Sequence, residues 1–320
     1  MTLEEFLDEW ENGSDRLLVH TSGSTGKPKP MWVEKKKMLN SARITCDFLG
    51  LKPGDTALLC MPLDYIAGKM VVVRSIERKL KLISVKPSGN PLASLSEAPV
   101  FAAMVPLQVY NTLKADRERK LLSQIKHLII GGGAIDDRLA HELRGFPNHV
   151  WSTYGMTETL SHIALRRING SEASQWYTPF DSVNVAQTPD GCLIIDAPLV
   201  HDGQLITNDR VEMRTNPKTG KKQFRVLGRK DNVIDSGGIK IQIEEVEAAL
   251  KPFLRAPFAI TKTSDEKFGE EVMLITEATD MAEVEEICMN ALPKYWVPRR
   301  YKHVDKIPMT ETGKIKRVSD

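Results

Sequence analysis

Cysteine is scarce. The four in 320 residues, Cys46, Cys60, Cys192 and Cys288, lie far apart and form no CxxC pair. That argues against a disulfide framework or a cysteine zinc site and suits reduced thiols in the cytoplasm. Long apolar runs are also missing: none approaches the roughly 20 residues that span a bilayer, so no membrane role is expected. Neither charge is in excess, because Lys+Arg 44 against Asp+Glu 42 leaves only +2. A balance this close gives no electrostatic footprint for nucleic acid or a membrane surface. The opening MTLEEFLDEW is acidic and amphipathic, unlike a secretory signal. No internal repeat or low-complexity tract interrupts the chain.

What is present is a globular composition, 41% hydrophobic and 27% charged, in a chain longer than one hydrophobic core usually supports. Thr2 to Glu5 has the form of a capping box opening a short helix that ends near Glu11. RLLVH then reads as a strand. From there strand-like runs (TALLCMP, KLISV, PVFAAMVP, HLIIGGG, HVWSTYG) alternate with helical stretches such as Glu34–Leu49, Ile66–Lys79 and Asp136–Arg144. Such alternation predicts an α/β domain with a largely parallel sheet, with ligands at the strand carboxyl ends. After about Ser171 the character changes. DSVNVAQTPDGCLIID reads as strand, Asp-Gly turn, strand. GRKDNVIDSGG, from Gly228, is polar and glycine-rich and suits a domain junction. Beyond it a helix, a hairpin, a second helix (Met281–Leu292) and a strand leading to MTETGKIKR predict a small α+β domain. The expected division is 1–228 and 229–320.

The segment HTSGSTGKPKP, from His20 to Pro30, holds four hydroxyl residues and two glycines ahead of its lysines. A Walker loop would read G-x-x-x-x-G-K-[ST]. Here Gly23 and Gly26 are three apart and Pro28 follows Lys27, so that reading fails. What remains is a turn whose N–H and hydroxyl groups can face polyphosphate oxygens.

Three further motifs follow in order: YGMTET (Tyr154–Thr159), GRKDNVIDSGGIKI and TETGKIKR. Taken singly, Glu158 or Asp209 reads as a turn acid, Lys314 as a surface lysine and Tyr154 as core. Their joint order is what carries information. The four motifs together resemble the adenylate-forming acyl-CoA synthetase and adenylation-domain superfamily over nearly the whole chain. The resemblance implies a large N-terminal α/β domain, shortened at its N-terminus, and a small mobile α+β C-terminal domain. It also implies an enzyme that activates a carboxylate with ATP and Mg2+ as an acyl-adenylate, then passes it to the thiol of coenzyme A.

Residue by residue, the resemblance places Thr21, Ser22, Gly23, Ser24, Thr25, Gly26 and Lys27 on the β- and γ-phosphates. It sets Gly132, Gly133 and Tyr154 against adenine, and Asp209 and Arg229 on the ribose, with Asn208 in the place of a commoner glycine. Thr157 falls near the α-phosphate, Glu158 on the metal, and Lys314 between the reacting carboxylate and the α-phosphate. Asp231 matches the pivot of the small domain, and Gly237, Gly238 and Lys240 the coenzyme A channel.

Two features depart from the pattern. Only twenty residues precede the phosphate loop, and Tyr65 of PLDYIAG stands where a histidine is usual. The helix that follows carries Arg74 among valines, and Lys69. A basic residue there is a feature of o-succinylbenzoate–CoA ligases of menaquinone biosynthesis, whose substrate is a dicarboxylate. The resemblance makes Arg74 the first candidate for the second carboxylate and Lys69 the second, with Ser161 and His162 lining the acyl pocket. Another carboxylate–CoA ligase, a carrier-protein-loading adenylation enzyme and a non-catalytic nucleotide-binding relic stay open as alternatives. Self-association is also left open.

Overall fold

The structure is a computed structural model that describes residues 1–20, 29–266, 268–309, 315 and 317. α1 (Leu3–Glu11) opens on the expected capping box: Thr2 Oγ1 accepts from Glu5 N at 3.2 Å, and Glu5 Oε2 accepts from Thr2 N at 2.7 Å. β1 (Arg16–His20) pairs antiparallel with β2 (Pro30–Glu34), a strand too short and irregular in pattern to be predicted. α2 (Lys35–Leu49) buries Met38, Ala42, Thr45 and Leu49, one stripe at helical spacing, and ends on Gly50 at φ 65°.

Next come β3 (Thr56–Leu59), α3 (Ile66–Arg78), β4 (Lys81–Ser84), β5 (Phe101–Met104), α4 (Pro106–Thr112), α5 (Asp116–Gln124), β6 (His127–Ile130), α6 (Asp137–Leu143) and β7 (His149–Gly155). β8 (His162–Arg167) and β9 (Thr178–Pro179) complete a sheet of order β4-β3-β5-β6-β7-β8-β9. Strands β3 to β7 are parallel to their neighbours, and β8 and β9 add antiparallel. Every residue of β5 and β6 is buried, as strands covered on both faces by crossover helices must be. The largely parallel α/β sheet is therefore as expected.

β10 (Asn184–Gln187), β11 (Cys192–Asp196), β12 (Gln204–Thr215) and β13 (Lys222–Arg229) form a second sheet in that order. The predicted Asp-Gly turn joins β10 to β11, with Gly191 at φ 88°. β14 (Val233–Ser236), β15 (Ile239–Gln242), α7 (Ile243–Leu250), β16 (Phe258–Asp265), β17 (Gly269–Thr276), α8 (Met281–Ala291) and β18 (Arg300–His303) make the α+β part. Its sheet runs β15-β14-β17-β16, with β18 parallel beside β17. Ile234, Ile241, Val246, Leu250, Leu274 and Val284 close its core. The junction motif is built into this sheet, and Met309 forms a bridge with Ile315 beyond β18.

The chain divides into two compact units. One comprises Met1–Val185, Ile195–Leu205 and Arg214–Phe224; the other Ala186–Ile194, Ile206–Met213 and Arg225–Asp320. The last segment of the second unit starts at Arg225, beside the expected boundary at 229, and the unit also takes in two earlier segments of the smaller sheet.

Candidate functional site

In the first unit the expected adenine motifs lie side by side. Ile130 and Ser152 are paired in register, so Gly131 follows β6 at the level of Thr153 on β7. A Cβ on Gly131 would come within 2.3 Å of Thr153 Oγ1, and Gly132 holds φ 80°. Glycine is what lets this turn lie against the neighbouring strand. Tyr154 presents its ring edgewise to Phe224 at 4.9 Å, and Tyr177 stands 5.9 Å away. Tyr177 is fixed in turn, since its hydroxyl shares a 2.8 Å hydrogen bond with Ser152 Oγ. Neither partner was foreseen.

Thr157 and Glu158 sit on a single 3-10 turn, Thr157–Thr159. Thr159 Oγ1 fastens it, within hydrogen-bond distance of Met156 O (3.1 Å) and Ser161 O (2.8 Å). The chain leaves this turn through Leu160, a buried residue at φ 65°, which is rare for a bulky side chain and occurs most often at functional sites. Glu158 has no ion-pair partner among the described residues, so its carboxylate is free to meet a cation. No cluster of three or more metal-ligating side chains exists among the described residues. The donor set fits magnesium, which keeps waters and phosphate oxygens and takes one or two carboxylates.

Arg74 lies on the buried stretch of α3, 2% exposed, among Met70, Val71 and Val73. Its Nη2 donates to Ser161 Oγ at 2.6 Å, while Nε–H is buried without an acceptor. Burial pulls its pKa down to about 10, so it is still a cation at neutral pH. No carboxylate among the described residues neutralises it, and an isolated buried charge is costly. His162, also buried, continues the contact: Nδ1 lies 3.2 Å from Ser161 Oγ and Nε2 lies 3.1 Å from Thr45 Oγ1 on α2. Burial, reinforced by the Arg74 charge, holds His162 well below the ordinary histidine range and therefore neutral.

Lys69, the second candidate for the same anion, points elsewhere. Five residues along a helix is about 140° of rotation, so it cannot share a face with Arg74. Its Nζ packs under α1, 5.2 Å above the Phe6 ring and 3.1 Å from Met1 Sδ. Burial lowers its pKa. This is the side on which α1 covers α3, so Lys69, the second candidate, has neighbours different from those of Arg74.

In the second unit, Arg229 contacts both Asp209, at 3.3 Å, and Asp231. Its N–H faces Glu244 Oε1 at 3.3 Å and its carbonyl accepts from Gln242 Nε2 at 2.8 Å. Asn208 adds a hydrogen bond to the Asp231 carboxylate. Gly237 and Gly238 are the two central residues of the β14–β15 hairpin, at φ 62° and 85°, with Ser236 paired to Ile239. That is a type I′ turn, the backbone reason for two glycines here. Lys240 is exposed, across from Asp235. Thr21 to Lys27 and Lys314 lie outside the described residues.

Residues 8–187 match the family described as AMP-binding enzyme. A 2-succinylbenzoate–CoA ligase of Listeria monocytogenes is 24% identical over 98% of this chain and 71% of its own length. Across such curated relatives the chain spans from 58% to 71% of their length. Among solved structures, an acyl-CoA synthetase (AMP-forming)/AMP-acid ligase II-like protein from Dyadobacter fermentans superposes with a TM-score of 0.66 at 32% identity, over 98% of this chain and 91% of that one. The o-succinylbenzoate coenzyme A synthetase of Bacillus subtilis, in complex with ATP and magnesium ion, gives a TM-score of 0.73 at 22% identity, over 94% and 68%. The chain belongs to the AMP-binding enzyme family.

Proposed function

We propose that this chain is an AMP-forming acid–thiol ligase that activates o-succinylbenzoate and transfers the acyl group to coenzyme A, a step of menaquinone biosynthesis. The observation that carries the substrate is Arg74: a charged guanidinium enclosed by apolar residues, with a neutral hydroxyl for partner and an unused Nε–H. A dicarboxylate whose aliphatic end reacts needs its aromatic carboxylate held at the far end of the pocket. A fixed guanidinium does that bidentately. The curated relatives, named as 2-succinylbenzoate–CoA ligases, support the same reading.

In this proposal Gly132, Gly133 and Tyr154 hold adenine, and Asp209 and Arg229 hold ribose. Thr21 to Lys27 hold the outer phosphates and Thr157 the inner one. Glu158 would hold magnesium, which neutralises phosphate charge as the carboxylate attacks. Lys314 supplies charge at the reacting oxygens, Asp231 is the pivot of the small domain, and Gly237, Gly238 and Lys240 face coenzyme A. The four buried, unpaired thiols suit a cytoplasmic setting.

The experiment is pyrophosphate release from Mg-ATP with a panel of carboxylic acids, followed by coenzyme A. Release with the aromatic dicarboxylate, and thioester on adding the thiol, is expected. Arg74→Ala should raise the KM for the dicarboxylate steeply, since losing one member of a buried ion pair costs about 3–5 kcal/mol, while the KM for ATP stays put. Equal turnover of monocarboxylates lacking the second acid group would overturn the substrate.

A further inference from the structure

We infer that Thr45 and His162 form a positioning relay that fixes which way Ser161 faces Arg74, and with it the guanidinium edge left for the substrate's second carboxylate. The inference rests on the proposed role of Arg74 and goes beyond it by naming what orients that residue.

The relay follows from counting protons. Thr45 Oγ1 lies 3.1 Å from Ser41 O, which can only accept, so the one hydroxyl hydrogen of Thr45 points there. Toward His162 Nε2, at 3.1 Å, Thr45 can then only accept, and Nε2 must carry the ring hydrogen. A neutral ring with hydrogen on Nε2 has a bare Nδ1, which accepts from the Ser161 hydroxyl at 3.2 Å. With its hydrogen spent, Ser161 Oγ offers Arg74 Nη2 a lone pair, at 2.6 Å. All four bonds run one way, from α3 through the start of β8 to a backbone carbonyl of α2, and no alternative assignment satisfies them.

A protonated His162 could not accept from Ser161. Burial and the Arg74 charge, by keeping the ring neutral, therefore keep the relay intact. With Nη2 donating to Ser161 Oγ, the neighbouring Nε–H is the buried donor of the guanidinium that still lacks an acceptor, and a carboxylate oxygen supplies one.

The test uses the full chain. Ring-nitrogen NMR on 15N-histidine-labelled protein should show His162 as the neutral Nε2–H tautomer, a measurement that needs no substrate. Thr45→Val removes the hydroxyl that accepts from His162 while keeping the shape. It should raise the KM for the dicarboxylate about tenfold, about 1.4 kcal/mol, with the KM for ATP as the unmoved internal standard. Thr45→Ala is read the same way should the valine variant fold poorly, and Thr45→Ser should restore the KM to within about twofold. A His162 ring protonated on Nδ1 overturns the relay whatever the substrate. A steep rise in KM for Arg74→Ala with none for Thr45→Val also overturns it, while leaving the clamp standing. No rise for either variant, with the Nε2–H tautomer present, would show that the failing premise is the role of Arg74 and would remove the relay's function with it.

Discussion

Arg229 grips Asp231 along a full edge: Nε–Oδ1 and Nη2–Oδ2 are both 2.8 Å. Burial works to raise the Asp231 carboxyl, but the hydrogen bonds and charge of Arg229 outweigh it, so the group titrates below the usual carboxylate range. With both side chains about one-third exposed, the pair contributes under about 1 kcal/mol to stability. Its consequence is conformational, because the proposed pivot is held by a neighbour that also reaches Asp209. Asp231→Pro, which fixes φ, is expected to leave adenylation within a few-fold and to cut thioester formation severely. Half-reaction assays on folded variant check this. Loss of both steps alike would end the pivot assignment.

The type I′ turn at Gly237-Gly238 alters how the coenzyme A channel should be probed. A Cβ on Gly238 meets nothing within 4 Å, yet φ 85° strains any β-branched residue. Gly238→Val is therefore expected to destabilise the second unit by about 1–2 kcal/mol, which would blur a steric effect on the channel. Gly238→Asn, suited to this turn, should keep the melting temperature. Lys240→Ala is the cleaner probe: the KM for coenzyme A should rise severalfold while ATP-dependent pyrophosphate release is kept. An unchanged KM for coenzyme A would remove Lys240 from the channel.

Lys314→Ala should lower adenylation about 10²–10³-fold, the scale of one well-placed donor. Conversion of a supplied acyl-adenylate to thioester should be largely spared. The chain is anchored three residues later, where Arg317 donates to Glu247 Oε1 at 2.6 Å and Oε2 at 3.0 Å. Folding is thus expected to survive the substitution, and circular dichroism checks that first. Equal loss in both half-reactions would count against the lysine's role.

The parallel sheet was legible because burial on both faces writes itself as unbroken apolar strands, as in HLII and FAAM. The capping box at Thr2 and the Asp-Gly turn were legible for the same local reason: each is a chemical preference of a few adjacent residues. What stayed hidden depends on neighbours distant in sequence. Tyr177 and Phe224 reach Tyr154 from 23 and 70 residues away, and no spacing announces that. Thr45 did leave a trace, as a polar residue on the stripe of Met38, Ala42 and Leu49 that α2 turns to the core. The resemblance offered Arg74 and Lys69 as first and second candidates for one anion, and helical geometry sets them on different faces.

A second buried histidine predicts how stability responds to acid. His127 opens β6 in register with His149 on β7, their rings 5.5 Å apart, and its Nδ1 is buried with no hydrogen-bond partner. Burial first, then the charges of Lys126 and His149 and last that of Arg167, push its pKa down to about 4, against the opposing charge of Asp55. His149 is itself lowered, by burial and by Arg167, whose Nη1 lies 2.5 Å from its Nδ1. In the unfolded chain His127 regains an ordinary pKa near 6.5. Between about pH 6.5 and 4 the unfolded state therefore holds a proton that the folded state refuses, and stability falls as pH falls through that window. One such group contributes at most about 1.4 kcal/mol per pH unit; above pH 7 it contributes no slope. Urea unfolding at steps from pH 7.5 to 4.5 should show this decline, and His127→Gln, which cannot titrate, should make it shallower, leaving the contributions of His149 and His162. Parallel losses in parent and variant would mean that His127 takes up its proton freely in the folded protein.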